Sequence, residues 1–150
     1  MVTEQDAKVI GLHEMLEYIN KAKNKKERIA LIQEYSNSSV PFTDYIRCVF
    51  DDRVKFLLPE GSPPYKPADE DMCSSWSREH LLLRELVQVE NLPYAKIEQT
   101  KRENVFIGML ERLDPKESVI IAEITSKKCP FSTIKKSLIE EAMPGLVMIP

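Results

Sequence analysis

Two lysine-rich stretches carry the clearest chemistry in this chain. One runs Lys127-Lys128-Cys-Pro-Phe-Ser132-Thr133-Ile-Lys135-Lys136, around the predicted start of a short amphipathic helix that stops at Pro144-Gly145. A helix ordinarily keeps acids near its N-terminus and bases near its C-terminus, because that order suits the macrodipole. Here the order is reversed, with Lys135 and Lys136 in the first turn and Glu140 and Glu141 near the end. Each misplaced charge costs only about 0.3–1 kcal/mol. The pattern suits a helix end that receives an anion such as a phosphate. Ser132 or Thr133 would cap that helix, and the free N–H groups of its first turn would point at the anion. The plainer alternative is a solvated lysine face, since exposed lysines are the default.

The other stretch gathers Lys21, Lys23, Lys25, Lys26 and Arg28, five bases within eight residues, at a second predicted helix start. Contacts of this kind hold a phosphate backbone without reading base sequence. The competing reading is a charge-rich corner facing water. The formal net charge is −3, whereas dedicated nucleic-acid binders are usually basic. The distribution weakens that objection. Residues 20–55 carry net +3 and residues 94–150 net +1, against −3 over 1–19 and −4 over 56–93. An anionic partner responds to the local field.

Other chemistries are poorly provided for. Asp69-Glu70-Asp71, with Asp51 and Asp52, is a carboxylate cluster that suits a hard cation, but the glycine and ligand spacing of a calcium loop are missing. His13 and His80 are isolated, and Cys73…His80 lacks the second pair that zinc needs. No metal and no cofactor is expected. Cys48, Cys73 and Cys129 are odd in number and far apart, which predicts reduced thiols that partly fill the core. Gly11, Gly61, Gly108 and Gly145 form neither a P-loop nor a dinucleotide fingerprint. With no nucleophile elbow and no catalytic constellation, the expectation is a protein that is not an enzyme.

These side chains need a scaffold, and the apolar spacing is helical nearly throughout. Leu12, Met15, Leu16 and Ile19 predict a first helix. Asn24 as cap and Glu27 at the third helical position start a second one, which turns Ile29, Ile32 and Tyr35 inward and ends near Ser36–Ser39. A third spans about Val40 to Phe50. Arg53 to Leu58 reads as a short extended or irregular piece, and the prolines from Pro59 to Pro67 exclude a helix interior. Helical spacing returns over about Ser77 to Glu90 and Gln99 to Leu113. Asp114, Pro115 and Glu117 are three concurring signals for the next start, ahead of Ile120, Ile121 and Ile124. The last helix buries Ile134, Leu138 and Ala142. The expected fold is all-α: one domain over residues 1–150, a compact bundle of about six to seven helices with one long Pro-rich loop at about 51–75. No apolar run approaches the roughly 18–20 residues of a membrane span. Residues 1–8 are acidic where a signal peptide would be basic, so a cytoplasmic protein without a membrane partner is expected.

The order Ile19…Lys23-Asn-Lys-Lys-Glu-Arg-Ile-Ala-Leu-Ile-Gln-Glu-Tyr35, then Asp44-Tyr-Ile-Arg-Cys-Val-Phe50, a proline-rich crossing and Leu138-Ile-Glu-Glu-Ala-Met-Pro-Gly-Leu146 resembles the N-terminal DNA-binding domain of T-even-type phage ATP-dependent DNA ligases. The stretches Phe50 to Tyr65 and Lys127 to Leu146 are also similar to a set of small proteins of T-even-like phages, a likeness that spans most of the chain. The ligase resemblance implies an all-helical domain that grips duplex DNA around a nick through backbone and minor-groove contacts. The ligase signature Lys-x-Asp-Gly is absent, and Pro150 stands where a ligase would begin its nucleotidyltransferase domain, so ligation is not expected. The expected function is a non-catalytic, phage-type protein of the infected host's cytoplasm that holds duplex or nicked DNA with little sequence readout. Lys127, Lys128, Thr133, Lys135 and Lys136 would cradle one phosphate stretch, and Lys23, Lys25, Lys26 and Arg28 another. The alternative is an adaptor that binds phage or host replication or transcription machinery through the acidic segment 56–93 and its Pro-Pro-Tyr loop.

Overall fold

Short polar side chains cap three of the helices, through Asn24, Ser39 and Asp114. The computed structural model describes residues 10–145; the readings placed on residues 1–9 and on Leu146 lie outside them. Helix α1 (Leu12–Lys21) buries Leu12, Met15, Leu16 and Ile19. Helix α2 (Lys25–Ser38) begins where the Asn24 side chain accepts the Glu27 N–H at 2.9 Å. The Glu27 carboxylate accepts in return from Lys23 N–H at 3.1 Å, one residue earlier than in a capping box. Helix α3 (Val40–Phe50) is capped by Ser39, with Pro41 in its first turn, and buries Tyr45, Ile46, Val49 and Phe50.

The middle of the chain departs from the expected single helix over 77–90. Helix α4 (Trp76–Glu79), a 3-10 turn (His80–Leu82) and helix α5 (Leu83–Leu86) follow one another, and the chain then straightens into strand β2 (Val87–Val89). This strand pairs antiparallel with β1 (Val54–Phe56), placing Val54 opposite Val89 and Phe56 opposite Val87. Leu82, Leu83, Leu86 and Val87 fit helical spacing, but the β-branched Val87 and Val89 favour a strand once a partner lies alongside. The partner is about thirty residues away, so local spacing does not reveal it. Counting 76–86 as one interrupted stretch, the described residues form seven helices and this small ribbon, an all-α bundle in class.

The Pro-rich crossing is fastened at three points. Gly61 N–H donates to Thr125 Oγ1 at 3.0 Å and its carbonyl accepts from the same hydroxyl at 3.1 Å, with φ near +104°, which favours glycine. Tyr65 donates its hydroxyl to Ser118 Oγ at 3.3 Å, and the Glu111 carboxylate accepts from Lys66 N–H at 2.8 Å. Helix α6 (Gln99–Arg112) carries the buried stripe Phe106, Met109 and Leu110, with Leu113 buried just beyond it. Its Arg102, 5% exposed, donates to the carbonyls of Glu85 and Ala95 and to the Gln99 side chain.

Helix α7 (Pro115–Ile121) is capped by Asp114, which accepts from Lys116 N–H at 2.9 Å. Glu117, expected only as a cap-side residue, is 3% exposed, and its carboxylate reaches two other helices. It accepts from Leu12 N–H at 2.9 Å and from Trp76 N–H at 3.0 Å, satisfying a first-turn donor of both α1 and α4. Helix α8 (Lys136–Ala142) buries Leu138, Ile139 and Ala142 against α2 and α3. One core joins these faces, with Leu16, Ile19, Ile32, Ile46, Trp76, Leu86, Ile121 and Ile139 no more than 1% exposed. Each such aliphatic side chain contributes about 1.5–3 kcal/mol by leaving water.

Candidate nucleic-acid interface

The packing of α2 against α8 brings part of each lysine-rich stretch, Lys25 and Arg28 of one and Lys135 of the other, to one groove. Gln33 on α2 donates to the Ala142 carbonyl at 3.0 Å, and Lys25 pairs with Glu141 at 2.6 Å. The turn before α8 is tied down separately. Thr133 Oγ1 donates to Asn20 Oδ1 at 2.6 Å, and Ile134 is buried. Between these fastenings lies an open groove of about 470 Å³. Lys25 and Arg28 line it from α2, with Ser132, Thr133, Lys135 and Ser137 across from them.

The start of α8 differs from the expected one. The helix begins at Lys136, with Lys135 in the cap position and no capping side chain, so neither Ser132 nor Thr133 caps it. The Thr133 hydroxyl is committed to Asn20, and a turn closed by Ile134 N–H on the Phe131 carbonyl separates it from the helix. With seven residues, α8 has little dipole to aim at an anion, so any anion affinity here comes from side-chain charge and hydroxyls.

The nine expected contact residues divide by their partners. Lys23, Lys26, Lys128 and Lys135 are exposed and make no ion pair among the described residues. Lys25, 64% exposed, reaches the groove from its pair with Glu141. Arg28 is half-buried and donates to the Ala22 carbonyl at 3.1 Å, which fixes its guanidinium at the groove wall. Lys136 is turned to Asp52 at 2.5 Å. Lys127 takes a left-handed backbone, φ 53°, and donates its ammonium to the Asp51 carbonyl at 2.8 Å. Burial pushes its pKa below the usual lysine value. Lys127 and Lys136 therefore face the α3–β1 junction, and the expected nine-residue face contracts around the α2–α8 groove. Ser132 and Ser137 line that groove without having been among the nine.

The carboxylates singled out above do not converge. Asp51 is fully buried and chelates the Arg53 side chain, while Asp69 accepts from Asp71 N–H in a 3-10 turn of residues 70–72. Among the described residues no group of three or more His, Cys, Asp and Glu is arranged to hold a metal, and no helix is long and apolar enough to cross a membrane. Cys48, Cys73 and Cys129 are free thiols, and Cys48 is buried.

A family of unknown function, DUF6433, matches residues 15–130, which is most of the chain, and the chain belongs to that family. The matched span holds the α2 wall of the groove and stops two residues before the Ser132 wall. No curated protein and no solved structure matches the chain.

Proposed function

We propose that this member of the DUF6433 family is a non-catalytic, phage-encoded DNA-binding protein of the infected cell's cytoplasm. It holds duplex or nicked DNA through backbone phosphates. The observation that carries the reading is the groove between α2 and α8, where Lys25 and Arg28 meet Thr133 and Lys135 from more than a hundred residues away. Lys23, Lys26 and Lys128 add exposed ammonium groups on the same two lysine-rich stretches. Lysine and hydroxyl contacts of this kind fix a duplex in place and carry no base preference. The resemblance of its residue order to the ligase DNA-binding domain is in keeping with this reading.

Fluorescence anisotropy on a nicked duplex tests the reading. With about four phosphates neutralised, the logarithm of affinity should fall against the logarithm of salt concentration with a slope of roughly −4. Lys26→Glu combined with Lys135→Glu should weaken binding about tenfold or more at low salt and flatten the slope by about two. Both positions are exposed, so the variant should keep its unfolding midpoint. Absence of any binding at about 50 mM salt, or a slope unchanged by the double reversal, sinks the proposal.

A further inference from the structure

A second groove lies between α3, the turn joining α4 to α5, and the β ribbon, with a volume of about 360 Å³. Its chemistry is unlike that of the lysine groove. Val54, Val87 and Val89 of the ribbon line it, together with Leu81 and Leu92, which are 60% and 56% exposed. Covering a leucine that now stands largely in water favours association. Two such side chains beside one apolar trough form a patch of the kind that partners cover.

The charge at this groove is cationic. Arg47, whose side chain is 44% exposed and stands 4.0 Å from the Asp51 carboxylate, and the exposed Arg84 both line it. One carboxylate, Asp44, also lies in the lining, hydrogen-bonded to His80 Nδ1 at 2.6 Å, and the two arginines outnumber it. A phosphodiester backbone offers no aliphatic groups to cover the two leucines. A second copy docked patch to patch about a two-fold axis would bring two arginine-bearing patches together.

We infer that this groove docks an acidic amphipathic segment of a partner protein. Its apolar side chains cover Leu81, Leu92 and the ribbon valines, and its carboxylates engage Arg47 and Arg84. Arginine suits the second task because its planar fork binds carboxylates bidentately. The inference does not depend on the DNA reading, since no residue is shared between the two grooves.

The test uses the full chain and three short synthetic peptides. One carries leucine and glutamate at helical spacing, another has lysine for glutamate, and the third has serine for leucine. Only the leucine–glutamate peptide should bind, with a dissociation constant on the order of 10–100 μM. Its amide-shift perturbations should centre on Leu81, Arg84, Val87 and Leu92. Leu81→Ser with Leu92→Ser, and separately Arg47→Ser with Arg84→Ser, should each weaken it about tenfold or more. All four sites are solvent-exposed, and a thermal melt checks that each variant folds; DNA affinity should stay unchanged in the leucine variant. No binding by the leucine–glutamate peptide up to about 1 mM, equal binding by the lysine peptide, perturbations confined to other surfaces, or indifference to both variants would each overturn the inference. So would a dimer that the leucine variant dissolves, or displacement of the peptide by nicked duplex.

Discussion

Cys48 on α3 is 4% exposed, and burial pushes its thiol up to about 12 from an ordinary value of 9.0. Between those two values the unfolded chain gives up a proton that the folded chain keeps. Stability therefore falls as pH rises through that window, by about 1.4 kcal/mol per pH unit for one thiol. Lys127 has the opposite sign. Its lowered pKa means that the folded chain sheds a proton first, so its contribution grows as pH approaches the ordinary lysine value. Urea midpoints of the parent chain and of Cys48→Ala, compared from pH 8 to 11, report the thiol together with its charge coupling to Lys127. The variant should start lower, since it leaves a small cavity, and fall less steeply. Parallel slopes would mean that the folded thiol ionises as easily as the unfolded one. At this scale the sequence was informative about residue type and poor about partners. Lys127 and Lys135 look alike in a string of lysines, yet one ammonium ends on a buried carbonyl and the other in water.

Elements were legible where their signals are local. The Asn24 and Asp114 caps, Pro115 in a first turn, and the stripe of Phe106, Met109 and Leu110 depend on neighbours three or four residues away, and each sits where expected. Only half of the ribbon was legible: Val54–Phe56 lies in the stretch read as extended or irregular, whereas Val87–Val89, read as helix, takes its conformation from that partner. Glu117 is the sharpest case. Its spacing from Asp114 suggests a cap for its own helix, but its carboxylate instead joins α7 to the first turns of α1 and α4. Glu117→Gln keeps the size and retains one acceptor oxygen, so one of the two backbone donors faces an amide NH2. The expected cost is about 1–3 kcal/mol in urea unfolding, accompanied by faster hydrogen exchange at Leu12 or Trp76. A neutral result would show that the two helix starts do not need the charge.

For the whole molecule, a net charge of −3 coexists with a cationic groove because acids are held close to the bases they offset. Glu141 sits 2.6 Å from Lys25, and both are more than half exposed. Glu141→Gln should release Lys25 to the groove and raise affinity for nicked duplex by roughly two- to fivefold at low salt, with the gain vanishing near about 0.5 M salt. The unfolding midpoint should not move, since exposed pairs contribute little to stability. Lower affinity in that variant would mean that the carboxylate orders the groove rather than competing for it. The sequence by itself determined the helical class, most helix boundaries, the Asn24 and Asp114 caps and the apolar faces, because all of these follow from contacts within a turn or two of chain. Only the tertiary structure decided which lysines share a groove, that α8 starts after Thr133, that Glu117 unites three helices, and that Leu81 and Leu92 stand beside two arginines. Those are pairings between residues tens of positions apart, and their partners are chosen by how the helices pack.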